Sequence, residues 1–425
     1  MSNSYPYQIT MLQAEDGDCF FLEFGEGRDS FTMLIDCGRS TTWEKLKCFL
    51  DEETKNWHEK KKIDVLLITH FDQDHIEGAL ELFRDDVYSQ KVGEVWHNGL
   101  PQIAPYLPQN VDEISDRSKN AIRAINDAYR FRSKVGSGPV SGGQSMELSL
   151  HVKKHGIQGN PWGETTAITN ETQQVTKRDV VIDFLLPTKK RTDALITVFR
   201  KEMRKKIGGA EPVLTDEAIM AFAKLMLYSE PVERIEGSVS AKKMNMEKFR
   251  QLAMATCDES DNSATNGSSI SIIIQYHGKK FLFPGDAWGK DLSDAVTAWQ
   301  ENQKKLENQQ DPEKQKKQEN ENLEFEVVKL PHHGSKRNCI DFLTQCNFSS
   351  RYYLVSTNGK HHGHPDPETL AKLIFVKPGK KEICFNYENI YRDFAFLETE
   401  NLEDCTLRYK KDERYGQIIS GNAGE

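Results

Sequence analysis

The 425-residue chain predicts an α/β fold, and three features point there. Val65-Leu66-Leu67-Ile68 is a short, continuous apolar run of the kind that forms a strand buried on both faces. After it, Ile76, Ala79, Leu80 and Phe83 take helical spacing, so strand, turn and helix follow one another directly. Further strand runs recur, and four of them end in side chains able to bind a metal, where α/β sheets place their ligands.

The elements follow in order. Gln8 to Leu12, Cys19 to Phe24 and Phe31 to Ile35, punctuated by Gly17, Gly25 and Gly27, predict a β-meander. Asp36-Cys37-Gly38 closes its third strand; Asp36 is assigned a structural role, holding the next loop from behind by side-chain hydrogen bonds. A helix is expected from about Trp43 to Glu59, with Trp43, Leu46, Phe49 and Leu50 on one face. The Val65 strand comes next. His70, Asp72, Asp74 and His75 crowd the turn that ends it. In this spacing His70 and Asp72 can face one side of an extended turn while Asp74 and His75 are carried to the other, which suits two metals. Mixed imidazole and carboxylate donors fit Zn²⁺ first, with Mn²⁺ or Fe²⁺ as alternatives. The competing reading is a polar helix cap with solvated histidines.

Val92 to His97 is another short strand. His97 at its edge could reach the metals, bond substrate or cap the turn, and capping the turn or supporting a metal ligand from behind is the preferred role. Residues 101–250 read as a largely helical elaboration, with helices at Asp112 to Val135, Arg191 to Ile207 and Thr215 to Ser229 and a buried strand at Val180 to Leu186. Its basic runs, Lys189 to Arg191 and Arg200 to Lys206, are solvated helix faces by default or a groove for a polyanion. Ile270 to Gln275 and Lys280 to Phe283 form a hairpin ending in Pro284-Gly285-Asp286. Glu301 to Asn322, nearly all Lys, Glu, Gln and Asn, is expected to extend a helix into solvent or to be a disordered insert. The strand around Val327-Val328 leads to His332-His333-Gly334-Ser335, and Tyr352 to Val355 leads to Ser356, Asn358, Gly359 and His361-His362-Gly363-His364-Pro365.

Composition narrows the class. The formal net charge of −9 argues against nucleic-acid binding by bulk charge alone, while a local basic groove stays open. The eight cysteines lack any C-x-x-C pair, which predicts buried thiols in a reducing compartment. With no apolar run of membrane-spanning length and no signal-like start, the expectation is a cytoplasmic protein that does not enter a membrane.

Thr69-His70-Phe71-Asp72-Gln73-Asp74-His75 resembles the H-x-[HD]-x-D-H signature of the metallo-β-lactamase superfamily, with Asp at the third position. Together with Asn266-Gly267-Ser268-Ser269, Gly285-Asp286, His332-His333-Gly334-Ser335 and Gly363-His364-Pro365 in this order, it is similar to the hydrolase domain of the ComEC competence proteins and their soluble relatives. The likeness covers roughly Tyr7 to Val376 and is loose over 101–250. It implies an αββα sandwich whose halves are residues 1–100 and 251–425, the latter carrying the charged insert 301–322. By the same resemblance, His70 and Asp72 would hold one metal and Asp74 and His75 the other, Asp286 would bridge, and His333 or His332 would complete the ligand set of the second metal. The superfamily usually supplies one more histidine in mid-chain; here the choices are His97, His151, His155 or none, leaving the first metal with fewer protein ligands.

Such a ligand set predicts a hydrolase that uses a hydroxide activated by two divalent ions. Beside the ligand Asp74, the catalytic candidates are His364 and whichever of His332 and His333 is not a ligand, as proton donors. Lys329, Ser268, Ser269, Ser335 and Asn358 are candidates either to bind substrate oxygens or to stabilise loops. The leading expectation is phosphodiester hydrolysis of a nucleic acid or nucleotide, in a setting such as bacterial defence. The alternatives are hydrolysis of a small ester, lactone or amide, and a non-catalytic metal-binding sensor or scaffold. A protein partner would dock through 101–250.

Overall fold

The computed structural model describes residues 5–54, 63–103, 120, 141–206, 244–310, 322–411 and 414–423, except 258 and 401. The helices expected at Asp112 to Val135, save residue 120, and at Thr215 to Ser229 lie outside them, as does 311–321 of the charged insert. The opening half contains β1 (Pro6–Leu12), β2 (Phe20–Phe24), β3 (Phe31–Ile35), α1 (Thr42–Thr54), β4 (Ile63–Leu67), α2 (Gln73–Arg84), β5 (Val92–Trp96) and α3 (Leu100–Ile103). Next come α4 (Ser141–Lys154), β6 (Val175–Lys177), β7 (Val180–Leu186), α5 (Lys189–Lys206) and α6 (Met246–Leu252). The closing half holds α7 (Ala264–Gly267), β8 (Ser271–Tyr276), β9 (Lys279–Phe283), α8 (Gly289–Gln310), β10 (Leu323–Lys329) and α9 (Lys336–Gln345). It ends with β11 (Phe348–Val355), α10 (Pro367–Phe375), β12 (Lys381–Phe385), α11 (Glu388–Phe394), β13 (Cys405–Arg408) and β14 (Gly416–Asn422).

These strands make two sheets. One has the order β14-β1-β2-β3-β4-β5 and the other β13-β12-β11-β10-β9-β8-β7-β6. Alternating side chains explain the layering. Ile9, Phe20, Leu22, Met33 and Val65 of the first sheet meet Ile272, Ile274, Phe281, Val327 and Leu354 of the second in one apolar interior. The opposite face of the first sheet, through Phe21, Leu34 and Leu66, buries against Leu46, Ile76, Phe83, Leu148 and Leu195 of its helices. The outer face of the second, through Ile273, Leu282 and Val328, does the same against Phe249, Leu292, Phe342 and Leu370. The result is the αββα sandwich expected above.

Several boundaries shift. The stretch 101–250 is more than a helical elaboration, because β6 and β7 complete one edge of the second sheet, with Val180–Leu186 pairing antiparallel to β8. The charged helix is real as far as Gln310, as a continuation of α8. Among the described residues no helix is long and apolar enough to cross a membrane.

The parallel strands position the site. β3, β4 and β5 run parallel in one sheet, and β9 to β13 run parallel in the other. The turns after β4, β9, β10 and β11 leave their carboxyl ends at one edge of the sandwich. Thr69 O accepts from Ile270 N at 2.8 Å, joining the two sheets beside that edge.

Candidate metal centre

The turn after β4 carries the first ligands. Asp72 stands directly before α2 in extended backbone, and its carboxylate makes no capping hydrogen bond. His70 and His75 are buried. A polar cap with solvated histidines is therefore not what this cluster forms.

Four imidazoles converge on one carboxylate oxygen. Asp286 Oδ2 lies 3.9 Å from His70 Nε2, 3.4 Å from His75 Nε2, 3.4 Å from His333 Nε2 and 3.7 Å from His332 Nε2. Asp74 Oδ2 is 3.8 Å from His75 Nε2 and 3.5 Å from His333 Nε2, while Asp72 Oδ2 is 3.8 Å from His70 Nε2. Two donors on one tetrahedral ion with bonds of about 2.0–2.1 Å stand roughly 3.3 Å apart, so these separations suit shared cations.

Each ring is held from behind. His75 Nδ1 meets Asp36 Oδ2 at 2.8 Å, His333 Nδ1 meets Ser356 O at 2.8 Å, His332 Nδ1 meets Asn338 Oδ1 at 2.9 Å, and His70 Nδ1 meets Thr69 Oγ1 at 3.0 Å. For His333 the carbonyl partner can only accept, so Nδ1 donates and the Nε2 lone pair points at the centre. The Nε2 atoms of His70, His75 and His333 are buried and have no hydrogen-bond partner. Leaving buried polar atoms unpaired is costly, and a bound cation removes that cost. The residues fit a divalent metal.

Backbone strain supports the same placement. His332 and His333 both sit in left-handed backbone, at φ 48° and 56°, a conformation disfavoured for residues with a Cβ. Gly334 follows at φ 90°, where an added Cβ would strike Pro365. This sharp turn is what sends two consecutive imidazoles to one point.

The buried frame below the ligands includes a residue that the sequence reading missed. Asp18, buried on the β1–β2 turn, lies 3.3 Å from His333 Nδ1 and 4.0 Å from His75 Nδ1. Lys329, also buried, reaches Asp18 Oδ2 at 2.5 Å, Asp286 Oδ1 at 3.2 Å and Gly285 O at 2.9 Å. The Gly17-Asp18 pair at a strand start was a visible signal, but nothing local to it tells a turn former from a residue facing a distant lysine. Asp36, besides holding His75, accepts from Thr69 N at 2.8 Å and Thr69 Oγ1 at 2.7 Å.

Several candidates are relocated. Lys329 is not placed to bind substrate, since its three N–H groups already have protein acceptors. Ser268 Oγ donates to Thr265 O, and Ser269 Oγ accepts from Asp286 N at 3.1 Å, so both shape the turns. Ser335 is buried at the entry to α9, and Asn358 Oδ1 is used by Lys360 N. None of the mid-chain histidines joins the cluster. His97 Nε2 pairs with Ser149 Oγ at 3.0 Å, and His151 and His155 lie against Phe83 with ring centroids 6.1 and 6.2 Å away. His332, with Nε2 beside Asp286, stands on the ligand side of the cluster. His364 lies just outside, its ring 5.3 Å from that of His332 and its Nδ1 3.6 Å from Asp366.

Electrostatics divide these groups. Burial drives His70 down to about 3, assisted by His75, and keeps its imidazole neutral. Burial also raises Asp72 to about 7, with Asp74 adding repulsion. Burial opposes charge on His75 and His333, yet Asp286 with Asp36 or Asp18 outweighs it and raises both. The carboxylates thus draw positive charge to this point, which protons or a metal can supply. Burial lowers His364 to about 4 against the pull of Asp366.

No family model matches the chain, and no curated protein matches it. Among solved structures, the metallo-beta-lactamase fold protein YhfI from Bacillus subtilis aligns with 98% of this chain and 100% of its own, at 10% identity and a TM-score of 0.35.

Proposed function

We propose that the chain is a metal-dependent hydrolase with a two-ion centre acting on phosphodiester bonds of a nucleic acid or nucleotide. The observation that carries the reading is the convergence of three buried, unpartnered imidazole nitrogens on Asp286 Oδ2. His70 and Asp72 would hold one ion and Asp74, His75 and His333 the other, with Asp286 in reach of both and His332 beside Asp286. Divalent ions bound there supply a water that ionises near neutral pH and positive charge for a substrate oxygen. Zn²⁺ suits the mixed donors best, with Mn²⁺ or Fe²⁺ next.

The chain's own residues do the rest. Asp36, Ser356 and Asn338 orient the imidazoles, and Lys329 holds Asp286 from the side away from them. His364, its ring 5.3 Å from that of His332 and its Nδ1 3.6 Å from Asp366, stands beside the cluster as the candidate to pass a proton to the leaving oxygen. The carboxylate share of the donor set, which suits ions that bind anionic oxygens, and the basic residues of α5 support the substrate class.

The test is a metal-supplemented screen of single- and double-stranded DNA, RNA, cyclic and linear dinucleotides and nitrophenyl esters, run beside Asp74→Ala. Cleavage of a phosphodiester by the unaltered chain and not by the variant supports the reading. Cleavage of the ester alone refutes the substrate class, and no cleavage together with less than one bound ion per chain refutes the enzyme.

A further inference from the structure

The two main ligand-bearing turns belong to different sheets, yet one helix from the middle of the chain touches both. In α5, Thr192, Leu195, Ile196 and Phe199 are buried at i, i+3, i+4 and i+7, a single inward face. Phe199 packs on Phe71 with ring centroids 5.4 Å apart. Phe71 is the residue between His70 and Asp72, and its buried ring belongs to the same apolar cluster as Leu195 and Ile196.

At its other end α5 grips the turn after β9. The Arg191 guanidinium lies 3.7 Å over the ring of Trp288, two residues beyond Asp286. The same guanidinium holds Asp291 at 2.5 Å through Nε and 3.0 Å through Nη2. Trp288 cannot easily move away. Its Nε1 donates to Ser263 O at 3.1 Å, and Gly267 approaches so closely that a Cβ there would lie 3.0 Å from the ring. Arg191 and Phe199 are eight residues apart, roughly 12 Å of rigid helix.

We propose that α5 sets the separation of the two metal-bearing turns, with Arg191 and Phe199 as positioning residues. The inference rests on reading the site as a metal centre. Strand pairing aligns the bases of the turns, but the carboxylates of Asp72, Asp74 and Asp286 project beyond it. A ligand set needs its donors placed within a few tenths of an ångström, and α5 ties Phe71 to Trp288. Neither positioning side chain touches a ligand atom. Each acts through a neighbour of one.

The experiment is a Co²⁺ titration of the full metal-stripped chain, read by visible absorption, with circular dichroism of the metal-free protein as the check on folding. Arg191→Ala and Phe199→Leu are each expected to weaken Co²⁺ binding at least tenfold and to shift the absorption bands, with the metal-free spectrum unchanged. Arg191→Lys, which keeps the charge toward Asp291 but loses the flat stack on Trp288, should fall between. Lys201→Ala, on the exposed side of the same helix, should bind as the unaltered chain does. Unchanged affinity and bands in both Arg191→Ala and Phe199→Leu overturn the proposal while leaving the metal centre standing. Failure of the unaltered chain to take up Co²⁺ overturns both. If Phe199→Leu fails to fold, the Arg191→Ala result decides.

Discussion

Replacing Lys329 with methionine isolates the charge balance beneath the site. Lys329 is 1% exposed and is shared between Asp18 and Asp286, each also buried. Removing one partner of a buried ion pair costs about 3–5 kcal/mol, because the remaining charge is left uncompensated. Spread over the unfolding entropy of a chain this size, roughly 0.9 kcal/mol per kelvin, that is a fall in Tm of about 3–6 °C in chelator-treated protein at pH 7. The pH dependence follows from the shifts. Lys329 is raised by Asp18 and Asp286 despite burial, so its contribution is complete below its unfolded pKa and is lost only in strong alkali. Asp18 and Asp286 are lowered by Lys329 and His333 against their burial, so their contribution is present above the unfolded carboxylate range and lost in acid. The gap between Lys329→Met and the unaltered chain should therefore be widest near neutrality and shrink below about pH 4. Thermal melts followed by circular dichroism across pH 3–8 measure it. Adding Asp18→Asn to Lys329→Met should recover part of the loss, since one of the stranded charges is gone. A Lys329→Met protein as stable as the unaltered chain at pH 7 refutes this account of the frame.

Other outcomes follow from the same geometry. Asp36→Asn alters the group that orients His75 and should lower metal affinity about 10–100-fold with the chain still folded, as isothermal titration would show. His97 is held down to about 4 by burial; its contribution is present above the unfolded value near 6.5 and lost as pH falls toward 4, up to about 3 kcal/mol, so His97→Gln should flatten the acid limb of the stability curve. His364→Gln should leave metal content unchanged and reduce turnover of a phosphodiester by about 10²-fold or more, with kcat affected more than KM. Lys201→Glu, exposed on α5, should weaken a long nucleic-acid substrate and leave a dinucleotide unaffected; equal loss on both removes the idea of a basic groove along that helix.

What was legible in the sequence was whatever local pattern encodes. The run from Val65 is buried on both faces, so its apolar continuity survived as a strand, and the spacing of Ile76, Ala79, Leu80 and Phe83 survived as α2. Ligand-type residues at strand ends were readable because their chemistry is unusual for ordinary turns. Partnership across the chain was not. Lys329 reads as a polar residue near a phosphate-sized site until Asp18, more than 300 positions away, is seen to occupy it. Ser268 and Ser269 look like substrate donors until the turn closes on their hydroxyls. His97 carries no local sign that Ser149 and Asn160 would claim it. The left-handed turn at His332 and His333, which brings both rings to Asp286, is written only as the glycine that follows.

The most direct measurement is anomalous diffraction at the metal edge from crystals grown with Zn²⁺ or Mn²⁺. Two peaks roughly 3.5–4 Å apart, on either side of Asp286 Oδ2 and within bonding distance of His70, His75 and His333 Nε2, are expected. Absence of any peak among those nitrogens, in crystals that hold the metal elsewhere, would contradict the claim that this cluster is a metal centre.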